Sequence, residues 1–325
     1  MMAAWFSPLV LGLLVMLPGA LHAADQLPRV GVLSSGTQPS ATQATVTGSV
    51  RFIEGLGELG YIDGGNIVLD IRYTAARSET YLPLARELID LKPDVIVASG
   101  DRCNAAQALT KTIPIVCATL NDPVNRRLVA SYARPGGNLT GTQLLTPELF
   151  HKRFELVKEL FPGGARIVVL WRNDEGTSLK EAEYAARLLG LAIEPRRADS
   201  AADLEPAFRA AVELGAQAVV TTQGPFFNAN GQIIADLGLR HRLATVTGES
   251  GFAARGGLLQ FGPDVNENWH RAASFVDRIL KGAKAGDLPV EQPATIKLIL
   301  NLKTARALGL IIPEAIFARA DEVIR

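Results

Sequence analysis

The sequence is poor in cysteine, in net charge and in long hydrophobic runs. Its 325 residues include two cysteines and 33 Lys+Arg against 33 Asp+Glu, so the formal net charge is zero. Two cysteines are too few for a disulfide-based scaffold. A neutral chain also lacks the basic field that holds nucleic acid, so we expect no nucleic-acid partner. With 48% hydrophobic and 20% charged residues, the chain is predicted to fold around a core of ordinary size.

Signatures of catalysis and of cofactor binding are also missing. No GxGxxG sequence connects the first predicted strand to its helix, and GxxxxGK[ST] and GxSxG are absent. The four histidines, at positions 22, 151, 241 and 270, show neither H-x3-H nor HExxH spacing, so no zinc site is predicted. We therefore expect a protein that is not an enzyme and that uses no cofactor and no metal.

The longest apolar stretch lies at the N-terminus. Its uninterrupted part, residues 9–17, has nine residues and is too short to span a membrane, which requires about 20. Small residues follow at positions 20, 23 and 24. This order is typical of a secretory signal peptide over residues 1–24, so we expect export to the periplasm; the alternative is an uncleaved anchor.

Short β-branched runs alternate with helix-periodic segments along the rest of the chain. Runs such as residues 29–33 (RVGVL) and 94–99 (DVIVAS) predict buried parallel strands in βαβ units. The same order begins again at residues 166–171 (RIVVLW). We therefore predict an α/β protein with two Rossmann-like lobes, each with a parallel sheet, joined by a multi-strand hinge. The expected lobes are residues 25–145 with part of 257–282, and residues 146–256 with 283–325.

Polar and aromatic residues follow the predicted strands. Ligands of parallel α/β sheets bind outside the carboxyl ends of the strands, so these positions are predicted to bind a small polar or zwitterionic ligand. The alternative for each polar residue alone is a helix N-cap. For the aromatic pair at 226 and 227, it is packing beneath a loop. The candidate ligand-binding residues are Ser34, Ser35, Ser99, Thr119, Asp122, Trp171, Asn173, Gln223, Phe227 and Glu249.

The two cysteines fall near neighbouring predicted strands. Cys103 follows the third strand and Cys117 lies within the fourth. A disulfide between them and a pair of separate thiols are both compatible with this placement.

Several sequence stretches resemble the substrate-binding proteins of ABC transporters of the tryptophan/aromatic amino acid type. These stretches are residues 58–61, 65–67, 122–124, 133–141, 288–293, 301–305, 308–310 and 318–324. The resemblance implies a type I periplasmic-binding-protein fold, in which two lobes with three hinge crossings close over a ligand. It also implies a protein, expected to be a monomer, that delivers a small organic ligand to a membrane permease.

The resemblance further implies roles for the candidate residues. In amino acid-binding relatives, hydroxyls and backbone amides of one lobe hold the carboxylate, and an acidic residue meets the ammonium group. Ser34, Ser35, Ser99 and Thr119 are expected in the first role, and Asp122 or Glu249 in the second. Trp171, Phe226 and Phe227 are expected to stack on an aromatic ligand. Two other functions stay open: a two-lobe enzyme such as a transferase, and a ligand sensor for a membrane receptor.

Overall fold

The computed structural model describes residues 27–35, 48–75, 77–121, 123–124, 126–144, 146–172, 177–293 and 295–325. The predicted signal peptide, Asp122 and Asn173 lie outside these ranges. Within them, no helix combines the length and the apolar character that a membrane crossing requires.

The first sheet is parallel throughout and has the strand order β2-β1-β3-β4-β5. Its strands are β1 (Arg29–Ser34), β2 (Val68–Tyr73), β3 (Val95–Ala98), β4 (Ile115–Asn121) and β5 (Leu139–Leu144). Helices α1 (Gly48–Glu58), α2 (Tyr81–Asp90) and α3 (Asp101–Leu109) follow the first three strands in the chain. The β-branched runs predicted as buried parallel strands are confirmed in this lobe, and β5 adds a further parallel strand beside β4.

The second sheet has the order β12-β11-β10-β9-β8-β6-β7. Strand β11 runs antiparallel to β10, a departure from the all-parallel sheet that the sequence predicted. The strands are β6 (Arg166–Trp171), β7 (Ala192–Arg197), β8 (Ala218–Thr221), β9 (Ala244–Thr247), β10 (Leu259–Pro263), β11 (Ile296–Asn301) and β12 (Glu322–Ile324). The helices are α4 (Thr146–Leu160), α5 (Thr177–Leu189), α6 (Leu204–Glu213), α7 (Pro225–Ala229), α8 (Gly231–His241), α9 (Val265–Leu280), α10 (Leu302–Leu308) and α11 (Glu314–Arg319).

Three segments of the described chain pass between the sheets. The first leaves β5 at Leu144 for α4, and the second leaves β10 at Pro263 for α9. The third runs from Glu291, which forms an isolated β-bridge with Thr142 of β5, to the start of β11. Each crossing starts or ends at the carboxyl end of a strand or beside one. The carboxyl edges of the two sheets therefore meet at the crossings.

Helix α9 follows a strand of the second sheet but packs on the first. Its Trp269 and Phe275 share a core cluster with Phe52 and Leu56 of α1 and with strands β1, β3 and β4. Residues 285 and 288 join the same cluster, whereas β11 begins the return to the second sheet. We therefore propose a lobe boundary within residues 292–295, later than the boundary at 283 that the sequence suggested.

Helix α1 packs closely against α9. The structure buries Phe52, Gly55 and Leu56, while Ile53 is 39% exposed. The two helices approach so closely that a Cβ at Gly55 would lie 2.6 Å from the backbone oxygen of His270. Gly55, Gly57 and Gly60 do have GxGxxG spacing, but they lie in this helix and its terminal turn, away from any strand-to-helix phosphate loop.

A disulfide links Cys103 of α3 to Cys117 of β4, with their Cα atoms 5.9 Å apart. This settles the question that the sequence left open. The next strand approaches the bond closely, because a Cβ at Gly141 of β5 would overlap the carbonyl oxygen of Cys117. Gly141 also has a φ of 138°, which only glycine adopts readily.

Candidate functional site

Both sheets contain a point at which the strand order reverses. In the first sheet β1 lies between β2 and β3, and in the second β6 lies between β7 and β8. The chain therefore leaves β1 and β3, and likewise β6 and β8, toward opposite faces of the sheet. A crevice opens at the carboxyl ends of such strand pairs, and it is the usual ligand site of open α/β sheets.

The first lobe places three of the predicted hydroxyls beside this crevice. Val32 of β1 pairs with Val97 of β3, and continuing this register brings Ser34 level with Ser99. Thr119 lies on the neighbouring strand, where its carbonyl oxygen accepts a 2.8 Å hydrogen bond from the backbone of Gly100. These three side chains are almost fully buried, and Ser35 beside them is half-buried.

Ser34 is held from both sides. Its hydroxyl lies 3.4 Å from the hydroxyl of Ser49 in the first turn of α1. Its carbonyl oxygen accepts hydrogen bonds from the amide (3.0 Å) and the hydroxyl (3.1 Å) of Thr74. The end of β1 is therefore fixed in position, which is what a binding edge requires.

In the second lobe, the ends of β8 and β9 are tied together. The Thr221 and Thr247 hydroxyls are 2.7 Å apart, and the Gln223 side-chain amide donates to the carbonyl oxygen of Gly248 at 3.2 Å. The Gly224 amide donates to Glu249 Oε1 at 2.7 Å. Two of the predicted residues, Gln223 and Glu249, are thus brought together at the carboxyl edge.

Glu249 is a buried carboxyl group, with 6% of its surface exposed. Burial raises its pKa to about 7, against the opposing effects of the Gly224 hydrogen bond and of the positive charges of Arg153 and Arg255. Near neutral pH the group is poised between its two charge states. A ligand ammonium group beside it would favour the ionised form.

Arg153 of α4 lies next to this edge and is completely buried. Its Nε donates to the carbonyl oxygen of Phe261 at 2.8 Å, and its guanidinium packs on the Phe150 ring at 5.1 Å. Both Nη atoms lack a hydrogen-bond partner among the described residues. Desolvation lowers the pKa of Arg153 to about 10, with a partial offset from Glu249. A Cβ at Gly248 would overlap its Nη2, so the loop that carries Glu249 rests directly on this side chain.

The predicted aromatic wall is only partly available. Phe227 is 1% exposed and packs in the core of the second lobe. Phe226 is 8% exposed, with the Arg172 guanidinium 5.0 Å from its ring centre. Trp171 at the end of β6 is half-buried, so part of its side chain stays accessible at this edge.

Sequence reasoning missed two buried arginines, Arg102 and Arg153. Arg153 falls on the apolar stripe that Phe150, Phe154 and Val157 form on α4, and a charge on such a stripe was the available signal. Arg102 lies in the first turn of α3, where a positive charge opposes the helix dipole. Arg153 places a charge on an apolar helix face, and Arg102 places a positive charge at the amino end of a helix. Such departures from the usual sequence preferences are typical of functional positions.

A separate recess of about 730 Å³ lies at the other edge of the first sheet. Its lining includes Pro28, Asp94 and Pro114, which precede β1, β3 and β4, together with the loops at 136–138 and 282–287. It is therefore remote from the carboxyl edges, and the candidate ligand site does not include it.

Two Rossmann-like lobes, joined by several crossings with their carboxyl edges adjoining, define a type I periplasmic-binding-protein fold. A family match covers residues 30–324, and the chain belongs to the ABC transporter substrate binding protein family. Its role is accordingly substrate binding and not catalysis.

Individual relatives are similar over most of the chain. A tyrosine-binding protein of Clostridioides difficile is 27% identical over 263 residues, which cover 80% of this chain and 75% of the relative. A conserved domain protein from Vibrio cholerae has a crystal structure with a TM-score of 0.82 at 25% identity, covering 92% of this chain and all of that one. A Streptococcus pneumoniae ABC domain in complex with L-Trp has a TM-score of 0.81 at 23% identity, with the same coverage.

Proposed function

We propose that this protein is the exported solute-binding component of an ABC importer. It captures a small organic ligand between its lobes in the periplasm and delivers it to a membrane permease. The observation that carries the proposal is the pair of carboxyl edges that meet at the hinge crossings. One edge carries buried hydroxyls and the other a buried carboxyl group.

The proposed ligand is an amino acid, with an aromatic one favoured, or a related carboxylate. Ser34, Ser99 and Thr119 supply hydroxyls for a carboxylate at the first lobe, with Ser35 at the rim. At the second lobe, Glu249 meets the ammonium group, with Gln223 beside it. The names of the tyrosine-binding relative and of the L-Trp complex support an aromatic ligand.

Trp171 forms the aromatic contact in this arrangement, and Phe227 is omitted because it is buried in the core. Asp122 and Asn173 lie outside the described residues and stay predictions from the sequence. In the proposed site, hydroxyls of the first lobe meet the ligand carboxylate and the Glu249 carboxylate meets the ligand ammonium group. Both contacts lie in a partly dehydrated crevice, where electrostatic interactions are stronger than in water.

Calorimetric titration of the mature protein with L-tryptophan, L-tyrosine, L-phenylalanine, 4-hydroxybenzoate and glucose tests this proposal. We expect one-to-one binding of at least one aromatic amino acid, and chromatography should recover that ligand unchanged. Trp171→Ala should weaken binding about tenfold through loss of ring contact. The matched control is Tyr184→Ala, which removes a 55% exposed aromatic side chain of the same lobe and should leave the affinity unchanged.

Binding of glucose alone, or equal effects of the two aromatic substitutions, would count against the proposed ligand class and site. The transport role is tested in cells. Deletion of the gene should abolish uptake of the labelled amino acid. Normal uptake together with a lost response to the ligand would instead identify a sensor.

A further inference from the structure

Arg102 is a buried cation at the ligand edge of the first lobe. It is 2% exposed and lies in the first turn of α3, directly after the carboxyl end of β3. Its Nη2 donates a 2.6 Å hydrogen bond to Ser99 Oγ. Its Nη1 donates to the Tyr81 hydroxyl at 3.4 Å, and the guanidinium lies 5.3 Å from the Tyr81 ring centre. Among the described residues, its Nε has no partner.

This position is unfavourable for a positive charge. Desolvation lowers the pKa of Arg102, and the amino end of a helix repels cations. The nearest acidic residue in sequence, Asp101, is occupied by Arg126 at 2.9 Å and by Asn104 at 2.8 Å. No described carboxylate lies within salt-bridge distance of Arg102. Among the described residues, the positive charge of Arg102 is therefore left without a salt-bridge partner.

The hydrogen bond from Arg102 also fixes what Ser99 can do. A guanidinium has no acceptor, so the Ser99 oxygen must accept this bond and the hydroxyl proton must point elsewhere. Donation to a cation also polarises the hydroxyl and makes it a stronger donor. The matching ligand group is one that accepts hydrogen bonds and is negatively charged.

We propose that Arg102 is a positioning residue that makes Ser99 an obligatory donor and gives this end of the crevice its preference for an anionic ligand group. The proposal rests on the proposed function and adds a residue that distinguishes a carboxylate from its neutral analogue. Arg102 acts through Ser99 and through its charge, and its own side chain is shielded from the ligand.

The test compares the dissociation constants of L-tryptophan and L-tryptophanamide, which differ at the carboxylate. The parent protein should prefer the free acid. Arg102→Gln should reduce this preference about 10- to 100-fold, as expected for loss of a charge-assisted hydrogen bond, while binding of the amide changes little. Arg102→Lys keeps the charge and should restore part of the preference. The matched control is Arg86→Gln, which removes an exposed charge from α2 in the same lobe and should leave the preference intact.

A second variant covers the case in which Arg102→Gln does not fold. Ser99→Ala should also reduce the preference. Where Arg102→Gln folds, the two substitutions together should reduce the preference by less than the sum of their separate effects. Equal weakening of both probes by Arg102→Gln would show that Arg102 only stabilises the lobe. A parent protein that binds the acid and the amide equally would also overturn the proposal. The same comparison is made with L-tyrosine and L-phenylalanine and their amides. A parent protein that binds none of these probes would overturn the proposed aromatic ligand and this inference with it.

Discussion

Among single residues, Glu249 has the clearest pH dependence. Its pKa of about 7 lies above the usual value for glutamate, so the folded protein holds a proton that the unfolded chain loses at lower pH. Between about pH 4.5 and 7, this group therefore lowers the free energy of unfolding as the pH rises. Its effect on ligand binding has the opposite sign, because an ammonium group binds the ionised form.

We expect amino acid affinity to rise with pH up to about 7 and then level off. Below that value, each pH unit should weaken binding by up to about tenfold, since Glu249 must release a proton before it pairs with the ligand. Calorimetry from pH 5.5 to 8 in buffers of different ionisation enthalpy measures both the affinity and the proton release.

Glu249→Gln supplies the control for this pH profile. The variant should bind more weakly by about 2–5 kcal/mol at pH 8, because the ligand ammonium loses its charged partner. Its affinity should be nearly independent of pH over the same range. A variant that keeps the parent's slope would assign the titration to another group.

The residues that the sequence predicted share one property, their position directly after a strand. Ser99, Thr119 and Glu249 were predicted as site residues because the ends of parallel strands can be read from apolar runs, and the structure places each of them at the end of a strand. Arg102 and Arg153 lie within helices, and their burial results from tertiary packing, which the sequence pattern does not reveal. The burial of Phe227 likewise depends on helix α7 turning back onto the second core, which no local pattern specifies.

At the scale of elements, the loop after β9 rests on helix α4. Gly248 has no side chain, and a Cβ there would overlap the Arg153 guanidinium and lie 2.6 Å from Gln223 Nε2. The neighbouring Gly262 of β10 is equally constrained, since its Cβ would lie 2.6 Å from the Gly248 carbonyl oxygen. The position of Glu249 is therefore set by how closely α4, β9 and β10 pack.

Gly248→Ala should lower the free energy of unfolding by about 1–3 kcal/mol and weaken ligand binding, because Arg153 or the loop must move. Chemical denaturation and calorimetry measure the two effects. The control is Gly57→Ala in α1, where an added Cβ meets no atom within 4 Å and the helix should be stabilised by about 0.5–1 kcal/mol. A Gly248 variant with unchanged stability would show that the loop adapts freely.

Element order was largely predictable, and element partners were less so. The alternation of apolar runs and helix-periodic segments specified the parallel strands of both lobes. The antiparallel pairing of β11 and the return of α9 to the first sheet depend on contacts between segments distant in sequence. Periodicity within a segment carries no information about such contacts.

For the whole molecule, the crossings place the proposed ligand site at the hinge. Two lobes joined by several short segments can rotate about them while each core stays intact. A ligand that contacts both carboxyl edges binds the closed conformation more tightly than the open one. The difference between these two affinities sets how far the ligand shifts the protein toward the closed conformation.

We expect the radius of gyration to decrease when the protein is saturated with its amino acid ligand. Small-angle X-ray scattering with and without ligand measures the change. Glu249→Gln at the same ligand occupancy should close less completely, since it loses a contact from the second lobe. Superimposable profiles for the free and saturated parent would rule out closure on this scale.

The packing of α9 also affects the order in which the protein can fold during its synthesis. The strands of the first sheet are complete once residue 144 has been made, but the helix that covers one of its faces ends at Leu280. By then, strands β6 to β10 of the second sheet have been made as well. The first lobe must therefore wait, with the part of this apolar face that α9 covers exposed, until most of the second has emerged. Neither lobe can be obtained by cutting the chain at a single point.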